Sequence, residues 1–128
     1  MHTTLVRRLV ALLFAAGLGS AGLGLGSTAA RAHAIVVSSQ PAAGAVVHGK
    51  TVAVVVRFNS RIDPVRSRLL LVRADGTTTT LELGEAPSLD TLAAAVGELA
   101  PGAYRLRWQV LAVDGHITRG DIPFTVAP

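Results

Sequence analysis

Between Ala103 and Val110 the chain alternates apolar and polar residues more strictly than anywhere else in its 128 residues. Tyr104, Leu106, Trp108 and Val110 fall on one face, and Arg105, Arg107 and Gln109 on the other. A period of two is the signature of a β-strand with one face on a core. Such a strand needs a sheet to join and a second layer to bury its apolar face against. Thr51–Phe58 repeats the pattern, with Val52, Val54, Val56 and Phe58 on a wholly apolar face.

Turn signals cut the rest into pieces of similar length. Val36–Ser39 reads as a first strand, ended by Gln40-Pro41-Ala42-Ala43-Gly44. Asn59–Pro64 reads as a loop, and Arg68–Arg73 as a strand. Ala74-Asp75-Gly76 is a hairpin signal that returns Thr77–Leu83 as the next strand. Thr91–Val96 would suit a helix by its alanines, but Gly97 stops it too early, so we read it as a strand. Phe124–Val126 closes the series. About seven short strands at regular spacing predict an all-β sandwich or small barrel, with Trp108 at the centre of its core.

The first 32 residues do not belong to that pattern. Arg7 and Arg8 precede an apolar run from Leu9 to Gly26, and Ala30-Arg31-Ala32 has small residues at both outer positions of an A-x-A site. These three regions make a secretory signal peptide, residues 1–32, cut after Ala32. Glycines at 17, 19, 22, 24 and 26 argue against a stable membrane-spanning helix. The Arg7-Arg8 pair also raises twin-arginine export. The mature domain is then residues 33–128.

Processing changes the composition that matters. The precursor carries 12 Lys and Arg against 8 Asp and Glu. Arg7, Arg8 and Arg31 leave with the leader, so the mature chain is near neutrality and has no basic patch for nucleic acid. With no cysteine, an exported domain must hold itself by core burial. Its one methionine, Met1, also leaves, so no sulfur ligand remains.

Cleavage after Ala32 makes His33 the first residue. Its α-amine and ring Nδ1 can then close a six-membered chelate on one metal ion. An α-amine has a pKa of about 7.7–8.0, so a metal can displace its proton near neutral pH. Asp114 and His116 form a D-x-H pair, and residues two apart on an extended strand point the same way. With His33 they supply three nitrogens and one oxygen. Such a set suits one Cu(II), with zinc second; Cu(I) would prefer thiolate or thioether. Each residue has a plainer reading alone, as a mobile terminus or a simple Asp-Gly turn. His48 sits in a turn-like AVVHGK segment and is expected to face solvent. No Ser/His/Asp triad, paired general acid and base, or phosphate loop stands out.

The chain also resembles a known family. The leading HA, then SSQPAAGAVV, VAVVVRFNSRID, LLLVRADG and YRLRWQVLAVDGHITRGDIPFTV are similar to the CopC family of periplasmic copper-binding proteins. The closing W-x-V-x-x-x-D-G-H-x-x-x-G-x-x-x-F-x-V is the specific part. The resemblance implies a seven-stranded Greek-key, immunoglobulin-like sandwich or barrel. It implies a Cu(II) site of the His33 amine and ring, Asp114 and His116. It further implies a monomeric periplasmic carrier or buffer in copper resistance or homeostasis, whose partner is an inner-membrane protein of CopD type on another chain. Two features depart from the family. Some members carry a methionine-rich Cu(I) segment, absent here. Many carry an acid in an F-S-E pattern where this chain has Phe58-Asn59-Ser60-Arg61, which leaves Ser60 in a weaker role or Asp63 as the acid's substitute; apart from the resemblance, Ser60 and Asp121 are candidates to support the site. Two alternatives differ in kind: a copper enzyme of lytic polysaccharide monooxygenase type, and a metal-free structural sandwich. Few aromatics and an anionic fourth ligand argue against the enzyme.

Overall fold

The computed structural model describes residues 33–128. The expected signal peptide, residues 1–32, lies outside the described residues. The described residues form eight strands and no helix: β1 Val36–Gln40, β2 Ala45–Val47, β3 Val52–Phe58, β4 Ile62–Arg73, β5 Thr78–Thr80, β6 Thr91–Val96, β7 Gly102–Ala112 and β8 Ile117–Val126. They make two sheets, ordered β1-β3-β6 and β2-β8-β7-β4-β5. Each sheet keeps open edges, so the molecule is a sandwich and the barrel alternative is set aside.

The strands with clear alternation are where the sequence puts them. On β3, Val52, Val54, Val56 and Phe58 are buried; on β7, Tyr104, Leu106, Trp108 and Val110 are buried. Thr91–Val96 is a strand, antiparallel to β3 from Arg57↔Thr91 to Val52↔Val96. Each fully buried Val, Leu or Phe in this core contributes roughly 1.5–3 kcal/mol relative to exposure.

Four features differ from the sequence reading. The count is eight, not about seven, because the three residues of β2 pair in parallel with the end of β8. Three residues are too few to show a period. The Asn59–Pro64 loop is cut short, because β4 begins at Ile62 and bulges between Asp63 and Arg68. Asp63 shapes that bulge by accepting from the N–H groups of Val65 at 2.9 Å and Arg66 at 3.3 Å. Pro64, which has no N–H to donate, fits there. The return strand Thr77–Leu83 shrinks to β5; beyond it Leu83 bridges Ala94 of the other sheet. Finally β8 begins seven residues before Phe124, because its first half is polar and glycine-containing and gives no core signal.

Trp108 packs edge-to-face on Phe58, ring centroids 5.2 Å apart. Across the β7–β8 ladder it faces Gly120. The indole lies so close over that residue that a Cβ there would come within 2.5 Å of it. Near the start of β7, the Tyr104 hydroxyl donates to the Ala100 carbonyl at 2.6 Å. That back-bond to a residue just upstream is the tyrosine corner of immunoglobulin-like sandwiches. On the outer face, Asp121 ties Arg105 and Arg107 together, each with an ion pair of 2.9 Å.

Candidate metal centre

The β7–β8 hairpin builds one side of the site. Its loop is Val113-Asp114-Gly115, closed by Ala112 N–H to the His116 carbonyl and Gly115 N–H to the Ala112 carbonyl, both 2.9 Å. Gly115 has φ of 85°, the left-handed position that a three-residue hairpin needs, and glycine meets it without strain. Asp114 and His116 therefore converge through a turn, not through an extended D-x-H as the spacing suggested. Asp114 Oδ1 accepts from the His116 backbone N–H at 3.0 Å, and Oδ2 lies 3.2 Å from His116 Nδ1.

The His116 N–H, then the His116 ring, then the charges of His116 and His33, hold the Asp114 carboxyl below its ordinary pKa against a modest opposing effect of burial. Asp114 is therefore an anion at neutral pH.

The N-terminal segment supplies the other side. His33 stands at the start of the described residues and is exposed, but Ala34 beside it is only 1% exposed and sits in the main core cluster. The His33 ring meets the His116 ring edge-on, with centroids 5.1 Å apart. One ligand atom from each of His33, Asp114 and His116 lies within 4.8 Å of the others. Two donors about 2 Å from one first-row ion are separated by about 2.8 Å when adjacent and about 4 Å when opposite. The observed spacing therefore needs only small rotations of exposed side chains to close on an ion. The donor set, two imidazoles and a carboxylate with no sulfur, fits copper or zinc in their divalent states.

Other sequence candidates lie elsewhere or are already engaged. His48 is exposed beyond the far end of β2, at Val126 of β8. A strand of that length spans roughly 30 Å, so His48 is at the opposite pole from His116. The Ser60 hydroxyl donates to the Arg61 carbonyl at 3.2 Å. Asp63 is taken up by its bulge, and Asp121 by its two arginines. Two residues that the sequence did not single out do approach the site. The Asn59 side chain accepts from Ile35 N–H at 2.9 Å, and the Thr118 hydroxyl donates to the Ala34 carbonyl at 2.9 Å.

Known proteins share this architecture. The CopC domain family matches residues 36–127. CopC from Methylosinus trichosporium OB3b superimposes with a TM-score of 0.68 at 31% identity, covering 75% of this chain and 95% of that one. PcoC, a methionine-rich copper resistance protein from Escherichia coli, superimposes with a TM-score of 0.62 at 20% identity, covering 74% of this chain and 99% of that one. Protein YobA of Escherichia coli K12 is 28% identical over 98 residues, which is 74% of this chain and 79% of that protein. With the family matched across nearly all of the described sandwich, the chain belongs to the CopC family.

Proposed function

We propose that this protein binds one Cu(II) and carries or buffers it in the periplasm, without catalytic turnover. Removal of residues 1–32 exposes the amine of His33. That amine and the His33 ring chelate the ion; the Asp114 carboxylate and the His116 ring complete four donors. The observation that carries the reading is the convergence of His33, Asp114 and His116 to within 4.8 Å. These residues come from opposite ends of the mature sequence. Membership of the CopC family supports copper over zinc.

The oxidation state follows from donor chemistry. Nitrogen and carboxylate donors suit Cu(II), and a soft Cu(I) site would need thioether or thiolate. The sole methionine of the sequence is Met1, in contrast with the methionine-rich PcoC. Asp114 fills a position that oxygen chemistry at copper would need open, which favours a carrier. On this reading, copper passes to an inner-membrane partner of CopD type.

Titration of the mature chain with Cu(II) tests the proposal. One tight equivalent is expected, and His116→Ala should lower its affinity by at least about tenfold. Loss of a single ligand on that scale is about 1.4 kcal/mol. His48→Ala should change nothing. Absence of a tight equivalent in the unaltered mature chain would return the protein to the metal-free structural sandwich.

A further inference from the structure

His33 reaches His116 although nothing pairs its own backbone among the contacts of the described residues. The two residues just after it are tied to both sheets. Ala34 is buried at 1% exposure, and its carbonyl accepts from the Thr118 hydroxyl across 84 residues of sequence. Thr118 is the second residue of β8 and His116 immediately precedes the strand, where its ring meets that of His33 edge-on at 5.1 Å. A bond from Thr118 to Ala34 therefore draws the preceding residue, His33, over His116.

A second bond sets the direction of approach. The β1–β3 ladder ends at Val36↔Phe58. One step beyond, Asn59 N–H donates to the Ile35 carbonyl at 3.0 Å, and Asn59 Oδ1 accepts from Ile35 N–H at 2.9 Å. The Asn59 amide thus substitutes for the backbone carbonyl that the ladder would next have used. The pair pins Ile35 from β3 while Thr118 pins Ala34 from β8, so the terminal residue is held from both sheets.

We infer that Thr118 and Asn59 are positioning residues that clamp the processed N-terminus and hold His33 ready for the ion. This rests on the ligand set proposed above. The clamp does not touch the metal. It reduces the disorder that a free terminus would lose on binding, and preorganisation of this kind raises affinity without adding a contact. It also fixes which residue can serve. Ala34 fits the core and the clamp addresses its carbonyl, so only the residue immediately before it is delivered to His116.

Thr118→Val keeps the shape of the side chain and removes the donor; Thr118→Ser keeps the donor. In the mature chain, Thr118→Val is expected to weaken Cu(II) binding about three- to tenfold, the scale of one hydrogen bond. Its electron paramagnetic resonance spectrum should show a fraction of copper with fewer nitrogen donors. Thr118→Ser should restore both affinity and spectrum. The control is a chain that begins at Ile35, which lacks both His33 and the Ala34 carbonyl that Thr118 holds. There the same substitution should leave the residual affinity of Asp114 and His116 unchanged, because Thr118 has no terminus to position. Asn59→Ala provides an independent second variant, with Asn59→Asp retaining the acceptor oxygen.

Thermal melting of the copper-free variants checks that they fold. Wild-type affinity in Thr118→Val and Asn59→Ala would overturn the clamp while leaving the ligand set standing. An equal loss in the mature chain and in the chain that begins at Ile35 would also overturn it, by showing that Thr118 acts through β8. Failure of the unaltered mature chain to bind copper would remove the ligand set and the clamp together.

Discussion

A chain that keeps Ala32 in front of His33 will bind Cu(II) at least about 100-fold more weakly than the mature chain. The extension turns the terminal amine into an amide and opens the six-membered chelate, while leaving every side chain of the site in place. A tethered second donor binds as an intramolecular event, and such tethering is worth roughly 10²–10⁴ in affinity. Competition titration against a chelator of known affinity measures the difference. Equal affinities would show that the amine is not a ligand. The residual binding of the extended chain should resemble that of the two imidazoles and Asp114 alone. On the proposed processing, tight Cu(II) binding in the cell is expected only once residues 1–32 are removed, because Ala32 masks the amine.

Gly120→Val will cost the domain about 3 kcal/mol. On the usual scale for a domain of this size, that lowers Tm by on the order of 10–20 °C. The cause is contact, not backbone conformation. A Cβ at Gly120 would lie 2.5 Å from Trp108 Cζ2 and 2.7 Å from Cε2. The indole cannot retreat easily, because Phe58 packs on it with centroids 5.2 Å apart. Glycine inside a strand is normally a weakness, and replacing it should help. The expected sign here is the opposite, which makes the experiment decisive. Thermal unfolding of the copper-free protein checks it, and an unchanged or higher Tm would mean that Trp108 can repack. In a Trp108→Leu background, which makes room, Gly120→Val should cost less than it does beside Trp108.

This contact gives a physical reason for the glycine in the closing D-G-H-x-x-x-G segment. The spacing alone marked Gly120 as part of a resemblance. The structure shows it as the floor beneath the central tryptophan, four residues after His116. The segment therefore combines two jobs: its first half forms the hairpin that carries Asp114 and His116, and its second half accepts the core.

Much of the fold was legible where one face of a strand is buried and the other is not. β3 and β7 show this, and their buried residues were named from alternation alone. β2 was not legible because three residues carry no period, and the pairing that makes it a strand is with the far end of β8. The first half of β8 was hidden for another reason. Its residues are mostly exposed or half-buried, so pairing with β7 holds them in the sheet rather than core burial. The barrel alternative failed because alternation reports a buried face but not how many sheets share it.

The candidate site divides along similar lines. His33, Asp114 and His116 stood out by chemistry: a histidine that the expected cut after Ala32 would make terminal, and a carboxylate and imidazole near each other in sequence. The route by which Asp114 and His116 converge was misread, since Gly115 turns the chain between them. Asn59 and Thr118 could not be seen as contributors, because their roles consist of hydrogen bonds to Ile35 and Ala34 that span 24 and 84 residues. At the departure Phe58-Asn59-Ser60-Arg61, Ser60 bonds the Arg61 carbonyl and Asp63 its own bulge, while Asn59 bonds Ile35. Ser60 and Asp63 were the expected substitutes for a missing acid, and it is Asn59 that approaches the terminus.

The central claim is that four named donors hold one Cu(II), three of them nitrogens. Electron paramagnetic resonance of the mature chain with one equivalent of Cu(II) tests it most directly, with His33 and His116 labelled in turn with ¹⁵N. The account predicts a tetragonal spectrum with three coordinated nitrogens and one oxygen. Label at His33 should alter two nitrogen couplings, and label at His116 one. A spectrum insensitive to either label, or one with a nitrogen from His48, would contradict it.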